Sequence, residues 1–173
     1  MRLFAYNKPI GDEIDVRDIS VIFPAQPGEE ARTEELKAYP VSKLEKEGRG
    51  LVIFTDDESQ VENLKARLDA CEMEYHVDTD GNLNYRVIQA IRAGIELEDG
   101  SMSPACRISW TEANAFVINI KPCSDAFLRD ITNAAGYNVT LLKKYRAANL
   151  KIKKVALGTY EEYSEDEVKA FLA

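Results

Sequence analysis

The sequence predicts an α+β fold, a central mixed and mostly antiparallel sheet flanked by helices, and three observations carry that prediction. Met73, Tyr75, Val77 and Thr79 alternate with Glu74, His76 and Asp78, the period of a strand with one apolar face. Leu51 to Phe54 is an apolar run rich in β-formers; it is too short for a helix and reads as a buried strand. Helical stripes stand between such strands, as where Val61, Leu64 and Leu68 fall at i, i+3 and i+7.

In chain order, residues 2–6 alternate weakly and read as a strand, and Tyr6 to Gly11 as a turn. Residues 12–38 are acidic and irregular, with a short strand at Ile19 to Phe23 and a loop at Pro24 to Gly28. A polar segment from Tyr39 leads into the buried strand. Thr55 with Glu58 has the spacing of a capping box for a helix over 57–69. Asp80-Gly81 turns the chain after the alternating strand. A helix over 84–93 turns Val87, Ile88 and Ile91 inward and stops at Gly94. Residues 106–110 and 115–121 read as a hairpin with Asn114 near its turn. Ser124 can cap a helix over 125–135 that buries Phe127, Leu128, Ile131 and Ala135 and ends at Gly136. Strands over 139–147 and 150–157 follow. A last helix starts at Ser164, with Glu167 completing a capping box, and buries Val168, Phe171 and Leu172.

Composition narrows the function. A chain of 173 residues suits one domain, or two small lobes sharing a core. No apolar run is long enough to span a membrane, and the first residues lack a signal-peptide core. Cys71, Cys106 and Cys123 are odd in number and lack metal-like spacing. They read as reduced thiols of a cytoplasmic protein. With a single histidine, His76, zinc and Cys–His chemistry are disfavoured. The formal charge of −8 argues against a generic nucleic-acid binder, because phosphate contacts need Lys and Arg. A local basic segment, Lys143, Lys144, Arg146, Lys151, Lys153 and Lys154, reads by itself as a solvated strand face.

An ordered series of short segments adds a family resemblance. Ser42-Lys43-Leu44-Glu45 followed by Gly50-Leu51-Val52-Ile53-Phe54-Thr55-Asp56 stands where the RsuA-type RNA pseudouridine synthases read Gly-Arg-Leu-Asp, four variable residues, then Gly-Leu-Leu-Leu-Leu-Thr-Asn. Asn7-Lys8-Pro9-Ile10-Gly11 resembles the segment that opens that family's catalytic domain. Tyr75 lies in the place of the Tyr in its Lys-x-Tyr-x-Val strand. Ile95 to Ala105 resembles its Gly-Val-x-Leu-x-Asp-Gly-x-x-x-Pro-Ala segment, and Asp125 to Ile131 its Asn-Arg-Gln-Val-Arg-Arg-Met helix. Gly136 to Val139 and Leu142 to Arg146 match its Gly-Tyr/Phe-Pro-Val and Leu-Lys-Arg-x-Arg. Arg67-Leu68-Asp69 repeats the catalytic tripeptide verbatim, but in mid-helix with Leu68 in the apolar stripe, so it is a decoy.

The resemblance implies a catalytic domain over residues 1–173 in two loosely ferredoxin-like halves. The family's small S4-type RNA-binding module is expected to be absent from the N-terminus. It implies conversion of uridine to pseudouridine in an rRNA-like substrate, with no metal or organic cofactor. The carboxylate acting at the ribose is Glu45, expected in the cleft between the halves. Arg129 aims that carboxylate, and Tyr75 lies against the base. The RNA-binding cations are Lys8, Lys43, Lys143, Lys144 and Arg146.

The departures matter as much as the matches. Glu45 replaces Asp, and the added methylene moves the charge by roughly 1 Å, a misplacement that can cost about 100-fold. Lys43 replaces Arg and loses its fork geometry. Met73 replaces Lys, and Ala126 and Asp130 replace two other basic residues. The expectation is a monomeric homologue, weak or inactive as an enzyme, that serves as an RNA-, ribosome- or protein-binding module. The alternative is an active synthase that uses Glu45.

Overall fold

The computed structural model describes residues 1–23, 25–152 and 154–173. Pro24, which opens the expected 24–28 loop, and Lys153 of the basic segment lie outside the described residues. In chain order the strands and helices are β1 (Leu3–Lys8), β2 (Arg17–Phe23), β3 (Arg32–Pro40), β4 (Gly50–Thr55), α1 (Val61–Asp69), β5 (Met73–Thr79), α2 (Tyr85–Ala93), β6 (Arg107–Glu112), β7 (Ala115–Ile120), α3 (Asp125–Ala134), β8 (Val139–Ala147), β9 (Leu150–Lys151), β10 (Tyr160–Glu162) and α4 (Glu165–Leu172). The class is α+β, as the sequence predicts. The chain divides into two compact units, one of Met1–Asp69 with Ala148–Ala173 and one of Ala70–Ala147.

In the first unit β1 runs antiparallel between β10 and β4, with Phe4 opposite Glu162 on one side and Phe54 on the other. Both β1 and β4 are buried along their whole length, as a continuous apolar run demands. β2 and β3 form a hairpin paired from Arg17↔Ala38 to Phe23↔Arg32; β3 joins β4 through Tyr39↔Thr55 and Pro40↔Phe54. The core gathers Phe4, Tyr6, Ile19, Val21, Ala38, Val52 and Phe54. Tyr6 stacks on Tyr160 at 4.3 Å between ring centroids.

Several expectations change here. The turn expected from Tyr6 shrinks to Ile10 and Gly11, because β1 continues through Lys8. The segment read as irregular holds the longest hairpin of this unit. Thr55 does not cap a helix. It is the buried last residue of β4, and its hydroxyl accepts from the Asp57 amide at 3.2 Å. Asp57 caps instead, accepting from the Ser59 amide at the head of a 3-10 turn over Glu58–Gln60. The strand expected over 150–157 is confined among the described residues to the two residues of β9, and β10 follows unforeseen. The capping box at Ser164 and Glu167 is present. Phe171 of α4 is buried, but Leu172 is exposed.

The second unit runs β5-α2-β6-β7-α3-β8, with sheet order β8-β5-β7-β6 and every neighbour antiparallel. That is the ferredoxin-like arrangement. β5 buries Met73, Tyr75, Val77 and Thr79 and leaves Glu74, His76 and Asp78 half-exposed, the alternation read from the sequence. Asn84 and Ser124 cap α2 and α3, each accepting from the backbone amide three residues on. The inward residues are Ile88 and Ile91 on α2, and Leu128, Ile131 and Thr132 on α3; Val87, Phe127 and Ala135 are half-buried. Gly94 ends α2 at φ +100, and a Cβ there would stand 2.6 Å from the Ser103 carbonyl. Among the described residues no helix is long and apolar enough to cross a membrane.

Candidate functional site

The candidate carboxylate stands on a loop of the first unit, residues 41–49, whose backbone is fixed from several sides. At its start the Val41 amide donates to the Ile53 carbonyl at 2.9 Å. The Ser42 hydroxyl accepts from the Ile53 amide at 2.8 Å. Leu44 packs on the core. Its neighbours Lys43 and Glu45 are exposed. The loop closes with a turn in which the Gly48 amide donates to the Glu45 carbonyl at 2.8 Å.

Lys8 is the clamp of this loop. Its ammonium is fully buried and donates to the carbonyls of Lys46 and Gly48 at 2.7 Å each and of Pro9 at 3.0 Å. The Gly11 amide reaches the same Lys46 carbonyl at 2.8 Å. Three carbonyl dipoles replace the water that a buried cation loses. This corrects the expectation that Lys8 meets RNA. With no exposed surface it acts on the backbone that carries Glu45.

Tyr75 and Arg129 belong to the second unit. Tyr75 is buried in the middle of β5, and its hydroxyl donates to the Cys123 carbonyl at 3.3 Å. Burial, then the proximity of Cys123 and Asp125, pushes its phenol well above the usual range, so it stands as a neutral donor. Burial likewise pushes the Cys123 thiol up to about 11, against the pull of Lys144. Cys123 stands just before the Ser124 cap, so Tyr75 is tied to the start of α3. Arg129 is exposed on α3, beside Asp130, which is exposed as well.

The expected basic surface is mostly drawn inward. Lys144 lies directly opposite Tyr75 across the β5–β8 ladder and is buried. Arg146 is 17% exposed; it pairs with Glu72 at 3.3 Å and Glu74 at 3.8 Å and donates to Asn119. Lys143, opposite His76, is half-buried. Of the five cations assigned to RNA, Lys43 alone is exposed in the described structure. The solvated strand face read for the basic segment is thus corrected too: its alternation places Lys144 on the inward face. Sequence reasoning missed the structural work of Lys8 and of the Cys123 carbonyl.

Comparison with known proteins agrees with the resemblance. No family model matches the sequence. Over 171 residues, 96% of this chain, it is 23% identical to the dual-specificity RNA pseudouridine synthase RluF of Salmonella typhi. It is 22% identical to RluF of Escherichia coli K12 over the same share. The chain spans 56% of the length of each. An RNA pseudouridine synthase of Aquifex aeolicus is 24% identical over 135 residues, 76% of this chain and 54% of its own. Among solved structures, a crystal structure of pseudouridylate synthase superposes with a TM-score of 0.72 at 17% identity, covering 98% of this chain and 73% of that one. A chain of a Cbf5-Nop10-Gar1 complex gives 0.53 at 13% identity, covering 87% and 50%. The fold is that of the pseudouridine synthases.

Proposed function

We propose that this relative of the RluF synthases binds RNA of the ribosomal kind and is weak or inactive in isomerising uridine. The observation that carries the reading is the clamped loop. In the isomerisation the C1′–N1 bond breaks, the uracil turns, and a C1′–C5 bond forms as C5 gives up its proton and N1 gains one. Glu45 would act at the ribose, Arg129 would hold it ionised, and Tyr75 would lie against a base flipped from its stack. A side chain one methylene too long could be accommodated by a yielding backbone. Lys8 and Ser42 deny it that, so the carboxylate overshoots by roughly 1 Å. Asp130 and the buried Met73 add to the reading, since neither supplies the cation the family has there. The reading sets the chain in the cytoplasm as a monomer, without a cofactor.

A second reading, an active synthase, is favoured by Tyr75, whose side chain is already buried and tied to α3. Tritium release from ribosomal RNA labelled at C5 of uridine separates the two. The proposal expects Glu45→Asp to release tritium about 100-fold faster than wild type. Wild type as fast as Glu45→Asp would overturn it and make Glu45 a working catalytic residue. Silence from both, with RNA still bound, would mean a site lost beyond its carboxylate. Binding of a protein in place of RNA would replace the ligand named here.

A further inference from the structure

The sheet of the second unit has one buried face and one open face. Met73, Tyr75 and Val77 are buried, and the Tyr75 hydroxyl ties their face to the start of α3. On the opposite face the side chain of His76 is 40% exposed, and Val117, Lys143 and Tyr145 are half-buried. The rings of His76 and Tyr145 lie nearly parallel there, 4.4 Å between centroids and 21° between planes. A bulge brings a cation beside them. The β5–β8 ladder shifts register between Glu74 and Tyr75, so Lys144 stands opposite Tyr75 and Arg146 opposite Glu74, with Tyr145 the extra residue between. Plain alternation would send Arg146 inward after Lys144 and Tyr145. The bulge re-aims it: Tyr145 and Arg146 both reach the open face, one against His76 and the other on Glu72 and Glu74. Arg107 of β6 holds Glu72 as well, so these two carboxylates are answered within the face.

We infer that this open face is a second binding surface, for single-stranded RNA whose bases stack on the His76–Tyr145 pair. The inference takes from the reading above only that the ligand is RNA; its contacts are none of those proposed for Glu45, Arg129 and Tyr75. A four-stranded sheet can hold unpaired bases by stacking them on aromatic side chains of its open face. Two parallel rings already in contact offer a flat base a stack to extend. Every base has such a flat face, so the surface selects single strands and tolerates their sequence. Lys143, directly opposite His76, adds a cation beside the rings. Cations and carboxylates come close to balancing on this face, so stacking rather than charge carries the affinity.

His76 is the only histidine of the chain, so its imidazole C2 proton gives one NMR resonance that reports on this face. The test titrates the full chain with single-stranded hexamers of uridine and of adenosine. The resonance is expected to move upfield and saturate, as a base stacks over the ring. Fluorescence anisotropy with the same hexamers, labelled, should show Tyr145→Ala and His76→Ala each binding about fivefold more weakly or worse. Tyr145→Phe keeps the ring and should bind like wild type, which a role for the hydroxyl would not allow. Log affinity should fall with log salt at a slope of only about −0.7 to −1.4, one or two phosphates. A His76 resonance that stays still while the hexamers bind, or alanine variants that bind them like wild type, would overturn the inference and leave the RNA reading intact. Hexamers that do not bind at all would overturn it too. An RNA hairpin in the same assay then shows whether the RNA reading falls with it.

Discussion

At the scale of single residues, the loop around Glu45 is held by one buried charge. Replacing Lys8 with Met keeps its bulk but takes one donor from each of three carbonyls, of which that of Lys46 keeps the Gly11 amide. We expect a loss of about 3 kcal/mol or more, since hydrogen bonds to charged groups are worth about 1.5–3 kcal/mol each. It would be read as a lower urea midpoint at unchanged slope. Tyr75→Phe should cost about 1 kcal/mol by stripping one donor from the Cys123 carbonyl, checked the same way. Glu45 was singled out by the resemblance alone, whereas the inward side of Tyr75 was legible through the alternation of β5. The role of Lys8 was not, because its carbonyl partners are 38 and 40 residues away for Lys46 and Gly48. No local pattern announces such a contact. Lys144 misled for a related reason: in a basic run it looks solvated, whereas strand alternation turns it inward, opposite Tyr75.

At the scale of elements, caps and turns decide where helices begin and end. Gly94→Ala would force a left-handed backbone on a side chain and push its Cβ against the Ser103 carbonyl. We expect it to destabilise by about 2 kcal/mol or more, seen as a drop in melting temperature. Ser164→Ala should cost about 1 kcal/mol by opening the capping box of α4, measured by urea denaturation. Capping at Ser124 and Ser164 was readable because the partner lies three residues on. The Thr55 box had the right spacing but failed, because β4 keeps Thr55 in the sheet and passes the cap to Asp57. The β2–β3 hairpin was hidden for a different reason. On the inward face of β3 only Ala38 is fully buried, so the period of two rests on Leu36 and Ala38 amid charged residues.

At the scale of the whole molecule, charge couples stability to acidity. Burial raises the carboxyl of Asp56, but its hydrogen bonds to Arg2 prevail and hold it below its ordinary value of 3.8. The Arg107 guanidinium, and then Arg146, hold Glu72 below 4.5. At Asp12, burial is outweighed by bonds from Tyr6 and Arg17. Groups depressed in the fold contribute stability above their unfolded values and lose it as pH falls through the folded ones. Glu162, raised by burial, works the other way. We expect the urea midpoint to hold from about pH 7 to pH 5 and to fall below about pH 4.5. The pairing of β1 with β10 reaches further still, because Phe4 meets Glu162 across almost the whole chain. The ferredoxin-like unit is one continuous stretch, with Met73 already opposite Ala147, and can complete its ladder while the ribosome is still adding residues. β1 must keep one edge unsatisfied until Tyr160 to Glu162 have been made. Nascent chains stalled before Tyr160 should therefore show a protease-resistant second unit beside a first unit that is still cleavable.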